Sequence, residues 1–455
     1  MTCNPHTITL IGAGLAGPLL GMEVARRGFK VDIYERRPDM RRAKISAGRS
    51  INLAVSARGI HALERAGLWE TMRNIVIPMK GRMMHSISSE LTFQPYGRAE
   101  WEVINSVSRA DLNISLMNAA ESRGVNIHFQ QRCTGIDLKT GQLRLRDERD
   151  GTEHSRDAEV VIGCDGSASA IRGEMLRLNP FNFSQEYLDY GYKELTLPAA
   201  PGGKHVLEPH ALHIWPRGNY MLIALPNIDG TYGCILFLPF DGKDSFEELD
   251  SEEKVARFFR ERFPDAVPLM PRLTENFFEN PTGAMVTVKC SPWHVDGKAL
   301  LLGDAAHAIV PFFGQGLNAG FEDCTVLLEL LDRHGPKWRQ IFEEFEQARK
   351  VNTDAIADLA VENFVEMRDR VADPRFLFKK KVELALEAKY PGVFVPKYAM
   401  VTFHRVPYSV AERRGKVQDR MLAELCDGVE RVDDLDWKKA DDLVRRELKP
   451  LGEER

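Results

Sequence analysis

The chain has no closely spaced cysteine pair. Its seven cysteines (Cys3, Cys133, Cys164, Cys234, Cys290, Cys324 and Cys426) are odd in number and scattered, whereas disulfide frameworks and structural zinc sites need paired, nearby thiols. A reducing compartment is expected. No apolar run reaches the roughly 18 residues that a membrane-crossing helix needs. The first residues lead into a strand without the basic and apolar regions of a secretory signal, so a cytoplasmic protein without a membrane anchor is expected. Basic residues are not in surplus either: 61 Lys and Arg stand against 66 Asp and Glu, for a net charge of -5. A dedicated nucleic-acid binder would show the opposite balance. Internal repeats and low-complexity linkers are also missing. What remains, at 455 residues with 44% apolar and 28% charged side chains, is a globular chain of two or three packed units.

The first motif stands at the beginning. The apolar run Ile8–Ile11 reads as a buried strand, Gly12-Ala13-Gly14-Leu15-Ala16-Gly17 as a turn, Pro18–Arg27 as a helix and Lys30–Tyr34 as a second strand ending at Glu35. Glycines at this spacing permit a tight turn and let backbone N–H groups approach a pyrophosphate at the positive end of the helix. A carboxylate ending the second strand accepts hydrogen bonds from ribose hydroxyls. Without that context the glycines would be only a turn; with it, they predict a bound dinucleotide.

Further along, residues 52–75 look helical around Leu63 and Leu68, residues 109–123 form another helix, and Val160–Gly163 is a short buried strand. It is followed by Cys164-Asp165-Gly166-Ser167 and Arg172. Between about 181 and 289 the pattern changes to strands separated by Gly, Asn and Pro turns, which predicts an antiparallel sheet. Leu301-Leu302-Gly303-Asp304-Ala305-Ala306-His307 returns to the parallel type. Pro311 and Gly314-Gln315-Gly316-Leu317-Asn318 then open a helix whose exposed N–H groups suit an electron-rich ring edge or a phosphate. Beyond about 320 the chain reads as helical, with an amphipathic stretch from 338 to 370 and Tyr398 in an alternating strand. His85, His213 and Glu343-Glu344 read as structural or solvated, and His307 as a positioning residue. No Ser/His/Asp grouping or metal-ligand spacing stands out.

The glycine turn with Glu35, Cys164-Asp165-Gly166 and Gly303–His307, in that order, resemble the single-component flavin aromatic hydroxylases. Gly48-Arg49-Ser50-Ile51-Asn52-Leu53-Ala54, Gly81-Arg82-Met83, Gln94–Gly97, Leu212–Pro216, Glu362–Met367 and Tyr398–Phe403 resemble the kynurenine-hydroxylating branch of that family, over nearly the whole chain. The resemblance implies an α/β fold: a discontinuous, Rossmann-like FAD-binding domain (1–180 and 290–335), an antiparallel substrate-binding sheet (181–289) and a helical C-terminal region (336–455). A substrate-contacting segment near 78–98 would belong to the first part.

The resemblance also implies FAD held by Gly12, Gly14, Ala16, Gly17, Glu35, Arg36, Arg37, Arg109, Cys133 and Asp304. Ala54, Pro311, Gly314, Gly316, Leu317 and Asn318 would lie beside the flavin. L-Kynurenine would be gripped at its amino-acid end by Arg82, Tyr96, Asn363 and Tyr398, and lined at its ring by Phe237, Phe312 and Met367. NADPH and O2 would be co-substrates, with a C4a-hydroperoxyflavin as oxygen donor, 3-hydroxykynurenine as product and no protein acid or base assigned. Phe313 follows the animal and fungal pattern, but the charged C-terminus departs from the apolar tail of the animal enzymes. Physically, a substrate carboxylate calls for the two-pronged donor that Arg supplies, backed by Tyr hydroxyls and an Asn amide. Taken singly, Met367 and Phe237 would be core residues and Arg82 a surface charge. A hydroxylase of phenols would not need this clamp, and a non-catalytic FAD-binding scaffold would not turn over NADPH.

Overall fold

The computed structural model of the chain describes residues 7–42, 52–367 and 373–453. Strand β1 (Thr7–Ile11), helix α1 (Ala16–Arg26) and strand β2 (Lys30–Glu35) form the expected opening unit, with β1 and β2 parallel. β1 is buried on both faces, as a central parallel strand is: Ile8, Thr9, Leu10 and Ile11 are all buried. The six-stranded sheet runs in the order His294–Val295, Ala299–Leu301, Val160–Gly163, β1, β2 and Asn126–Phe129. All neighbours are parallel except the outermost pair, His294–Val295 with Ala299–Leu301. Its strands come from widely separated segments of the chain.

A seven-stranded sheet runs in the order Thr282–Ser291, Asn182–Leu197, Tyr232–Pro239, Met221–Pro226, Ala211–Pro216, Gly81–His85 and Leu91–Pro95. It is antiparallel except at one junction, where Ala211–Pro216 pairs in parallel with Gly81–His85. The hairpin Gly81–Pro95 thus joins the sheet from a distant part of the chain. A Cβ on Gly81 would stand 2.3 Å from the Gln94 carbonyl oxygen, so this hairpin closes only around glycine.

Two local expectations change. Residues 52–75 are not uniformly helical: Asn52–Val55 is a strand paired with Ile104–Ser108, and helix Ala57–Arg65 starts only after it. The stretch expected from 338 to 370 is helical from Trp338 to Val365, with a wider turn through Met367, and residues 368–370 lie outside the described residues. Tyr398 lies on a short helix, Lys397–Thr402, not on a strand. Pro396 precedes that helix, where its missing N–H costs nothing. In each case tertiary pairing outweighs local propensity. Among the described residues no helix is long and apolar enough to cross a membrane.

One buried ionic node joins the layers. Asp323, fully buried on helix Gly316–His334, receives Arg349 Nε at 2.6 Å on Oδ1. Its Oδ2 lies 2.6 Å from His307 Nε2 and accepts the Gly303 N–H at 3.0 Å. Burial pushes its carboxyl up, but His307 and Arg349 more than offset this and hold it below the usual carboxylate range. His307 therefore has a structural partner, as its sequence context suggested. Replacing Arg349 with Met strands part of a buried charge, and should lower unfolding free energy by about 3–5 kcal/mol in urea titrations.

Candidate functional site

A cavity of about 1040 Å³ opens where the carboxyl ends of the parallel strands meet the large sheet. This is where open α/β sheets place ligands. Gly12 adopts φ +102°, and a Cβ there would stand 2.5 Å from the Cys164 carbonyl oxygen. Its N–H donates to Tyr34 at 2.8 Å. Gly17 sits behind the turn and does not line the cavity; a Cβ there would come within 2.1 Å of the Gly12 oxygen. Gly14 differs. It lines the cavity with Gly12 and Ala16, and a Cβ on it would meet no protein atom within 4 Å. Helix α1 has no side-chain cap and no acidic residue in its first turn, leaving its positive end free for an anion.

Glu35, at the end of β2, is 5% exposed and lines the same cavity. Burial raises its carboxyl, yet the Arg37 guanidinium and the N–H groups of Arg37 and Ala13 hold it below its ordinary value. It is an ionised acceptor on the rim. Arg36, Arg37 and Arg109 also line the wall, Arg109 opening helix Arg109–Ser122. Cys133 lines it as a neutral thiol that burial pushes up to about 12. Asp304 starts the short helix Asp304–His307 on the opposite wall.

The residues expected beside a flavin divide into two sets. Ala54, Pro311, Gly314, Gly316 and Leu317 line the cavity, with Gly314 at φ +64°. Helix Gly316–His334 likewise begins without a side-chain cap or an acid in its first turn, giving a second free N-terminus there. Asn318 is placed differently from its expected flavin-side position. Its side chain is fully buried and spent on the protein itself. Oδ1 accepts from Ser56 and Gly59 N–H at 2.9 and 3.2 Å, and Nδ2 donates to Ala54 and Gly314 carbonyls at 2.9 and 2.8 Å. It fastens one cavity wall to the other. Of the motif Gly48–Ala54, residues 48–51 lie outside the described residues.

The far end of the cavity is aromatic. Arg82 Cζ lies 4.8 Å from the centre of the Tyr398 ring and 5.7 Å from that of Tyr96. The two tyrosines stack at 5.8 Å, and Phe313 stacks on Tyr398 at 5.3 Å. Arg82 Nε and the Tyr96 hydroxyl are buried without a hydrogen-bond partner. Such groups cost about 1–3 kcal/mol each unless a ligand satisfies them. Phe237, Phe312 and Met367 line the adjoining wall, with the Phe237 and Phe312 rings 4.8 Å apart. Asn363 stands behind this wall and does not line the cavity, because its Nδ2 donates to the Phe312 carbonyl at 2.7 Å and contacts Met367 Sδ at 3.4 Å.

Several lining residues escaped the sequence reading. Leu212, Ile223, Leu225 and Ile235 complete the apolar wall from the central strands of the large sheet. Their alternation with buried residues on the other face was the available signal. Tyr192 lines the wall beside Phe237, to which it is register-paired. Asp165, quoted as part of a motif but given no role, lines the cavity with Oδ1 buried and unpartnered, and burial raises its carboxyl. Among the described residues no cluster of acidic, His or Cys side chains could hold a metal.

The glycine turn, two bare helix ends, the ribose-type acceptor Glu35 and the unpaired Asp165 oxygen together fit a flavin dinucleotide. Residues 6–350 match the FAD binding domain family. The chain is 53% identical to kynurenine 3-monooxygenase of Myxococcus xanthus, covering 98% of this chain and 97% of that one. It is 46% identical to kynurenine 3-monooxygenase of Flavobacterium psychrophilum, covering 92% and 93%. Among solved structures it resembles 2-methyl-3-hydroxypyridine-5-carboxylic acid oxygenase at 19% identity (TM-score 0.67, 82% and 96% covered). Pseudomonas aeruginosa PqsL, solved with 2-aminobenzoylacetate, is similar at 18% identity (TM-score 0.65, 81% and 98% covered). The chain belongs to the FAD-binding-domain family and, within it, to the kynurenine 3-monooxygenases.

Gly14→Ala tests the turn. With no protein atom to strike, the variant should melt within a few degrees of wild type but purify with little flavin, read as absorbance at 450 nm per chain. Retention of full flavin would move the pyrophosphate away from this turn.

Proposed function

We propose that this chain uses FAD to hydroxylate L-kynurenine to 3-hydroxy-L-kynurenine, consuming NADPH, H+ and O2 and releasing NADP+ and water. The observation that carries the substrate reading is the clamp at the apolar end of the cavity: a guanidinium between two tyrosines, with a buried N–H and a buried hydroxyl left unpaired. An amino-acid carboxylate satisfies both, and a phenolic substrate would leave them empty. The cofactor, bound along Gly12–Ala16, Glu35, Arg109 and Asp304, supplies the redox chemistry that draws electrons from NADPH and activates O2.

The protein's own work is positioning and exclusion. Arg82 with Tyr96 and Tyr398 fixes the amino-acid end. Phe237, Phe312 and Met367 hold the aniline ring flat, so that the carbon ortho to its amine faces the flavin side of the cavity. Asn363 acts through Phe312 and Met367, keeping that wall in register. The substrate's ring amine activates its own ortho carbon, so no side chain needs to act as base. Apolar walls from the large sheet keep water from diverting the oxidant. In domain terms, residues 1–180 and 290–335 hold the cofactor, 181–289 with the hairpin near 78–98 forms the substrate wall, and 336–455 closes the pocket. The substrates are small molecules, and the protein works in the cytoplasm.

Arg82→Ala should weaken kynurenine binding by roughly 2–5 kcal/mol with flavin content unchanged, because one half of a semi-buried charged pair is removed. Tyr398→Phe should cost on the order of 1 kcal/mol. Titration of flavin absorbance with kynurenine measures both; flavin loss from the Arg82 variant would assign that residue to the fold instead. In wild type, NADPH oxidation at 340 nm should accelerate on adding kynurenine, with 3-hydroxykynurenine formed. An unchanged rate without kynurenine would overturn substrate-gated reduction.

A further inference from the structure

Behind the flavin-side wall lies a polar cluster that the chemistry above does not use. Arg58, near the start of helix Ala57–Arg65, is 1% exposed. Its Nη1 donates to the Val401 carbonyl at 2.6 Å and the His404 carbonyl at 3.1 Å, and its Nη2 donates to the Val406 carbonyl. Nε meets Glu322 at 3.1 Å, and Cζ stands 3.7 Å from the centre of the Tyr408 ring. Tyr408, fully buried, donates its hydroxyl to Gln315 Oε1 at 2.8 Å, and Gln315 Nε2 donates to Ser56 Oγ at 3.3 Å.

The carbonyls that Arg58 gathers belong to the end of helix Lys397–Thr402 and the turn after it. These acceptors carry the negative end of that helix and have no helical N–H to meet. Tyr398 rides on the same helix. On its other side, Arg58 stands two residues after Ala54–Ser56, the segment that Asn318 ties to Gly314. One guanidinium therefore spans the flavin-side wall and the substrate clamp. Its planar fork makes contacts that a lysine, a single point charge, cannot reproduce together.

We propose that Arg58 is a positioning residue that sets the spacing between Tyr398 and the turn around Gly314, and thereby decides how efficiently O2 is used for hydroxylation. The inference rests on the kynurenine reading. With the spacing kept, one oxygen atom enters the ring and the other leaves as water. With it lost, the same two electrons and two protons go to O2 alone: NADPH, H+ and O2 give NADP+ and H2O2. Arg58 touches neither substrate nor cofactor in this scheme.

The test compares wild-type and Arg58→Lys holoenzymes for NADPH consumed, 3-hydroxykynurenine formed and H2O2 released. Wild type is run first; no hydroxylated product there overturns the kynurenine reading and this inference with it. In Arg58→Lys, product per NADPH should fall roughly tenfold, since displacements near 1 Å in a reacting pair cost this much or more. H2O2 should rise to match, KM for kynurenine should increase, and flavin per chain should stay at the wild-type level. A lowered melting temperature with an unchanged product ratio would assign Arg58 to stability alone and overturn the proposal. Should the lysine variant not fold, Tyr408→Phe reads the same ratio by deleting only the hydroxyl bond to Gln315. There a drop of about two- to threefold is expected, and an unchanged ratio overturns the proposal equally.

Discussion

Everything around the cavity leans on the buried carboxylate of Asp323. An isolated charge at that depth would be untenable. It survives because Arg349 and His307 reach it from other elements and because the Gly303 N–H points at it. These partners come from helix Trp338–Val365, from the short helix Asp304–His307 and from the Gly303 turn before it. The carboxylate thus holds the Gly303–Asp304 bend, the start of helix Gly316–His334 and the C-terminal region in one arrangement. Arg349 extends the node to Glu322 at 2.5 Å, and Glu322 in turn meets Arg58. The glycine-turn end and the aromatic end of the cavity are thus linked through a chain of buried ions.

The opening strand–turn–helix, Glu35 and the parallel strands were legible because their chemistry is local: a turn that only glycine can make, and runs of apolar residues buried on both faces. Arg82, Tyr96, Phe237, Phe312, Met367 and Tyr398 line one cavity, although no spacing in the chain brings them together. They were found by resemblance, not by pattern. The misplacements have a common cause. Tyr398 alternates with apolar neighbours as a strand would, yet its segment folds as a helix whose end is satisfied by Arg58, more than 300 residues away in the chain. Asn318 and Asn363 sit in suggestive motifs, but their amides are consumed by backbone carbonyls and N–H groups that only the folded chain presents. Asp323 and Arg58 carried no signal at all. A charged residue on a helix reads as solvated until its partners are known.

The division of labour inside the site follows from the two kinds of wall. On the dinucleotide side the protein offers backbone: bare helix ends, a left-handed glycine and a strand-end acid. At the aromatic end of the cavity it offers side chains: a cation, two hydroxyls and stacked rings. Backbone donors suit a ligand common to a large family, since any sequence that keeps the turn keeps them. Side chains suit discrimination among ring substrates, since each can be exchanged without disturbing the sheet beneath.

The order of strands in the parallel sheet also bears on how the molecule comes into being. β1 is flanked by Val160–Gly163, and that strand by Ala299–Leu301. At ordinary translation rates of about 5–20 residues per second, the first strand therefore waits roughly 15–60 s for the sheet to be completed. Once Val160–Gly163 is made, β1 has both of its own partners, and it is Val160–Gly163 that lacks its outer neighbour; non-local pairing of this kind is intrinsically slow. Until Ala299–Leu301 arrives the sheet ends in an open edge at Val160–Gly163, the kind of edge that can pair with another chain.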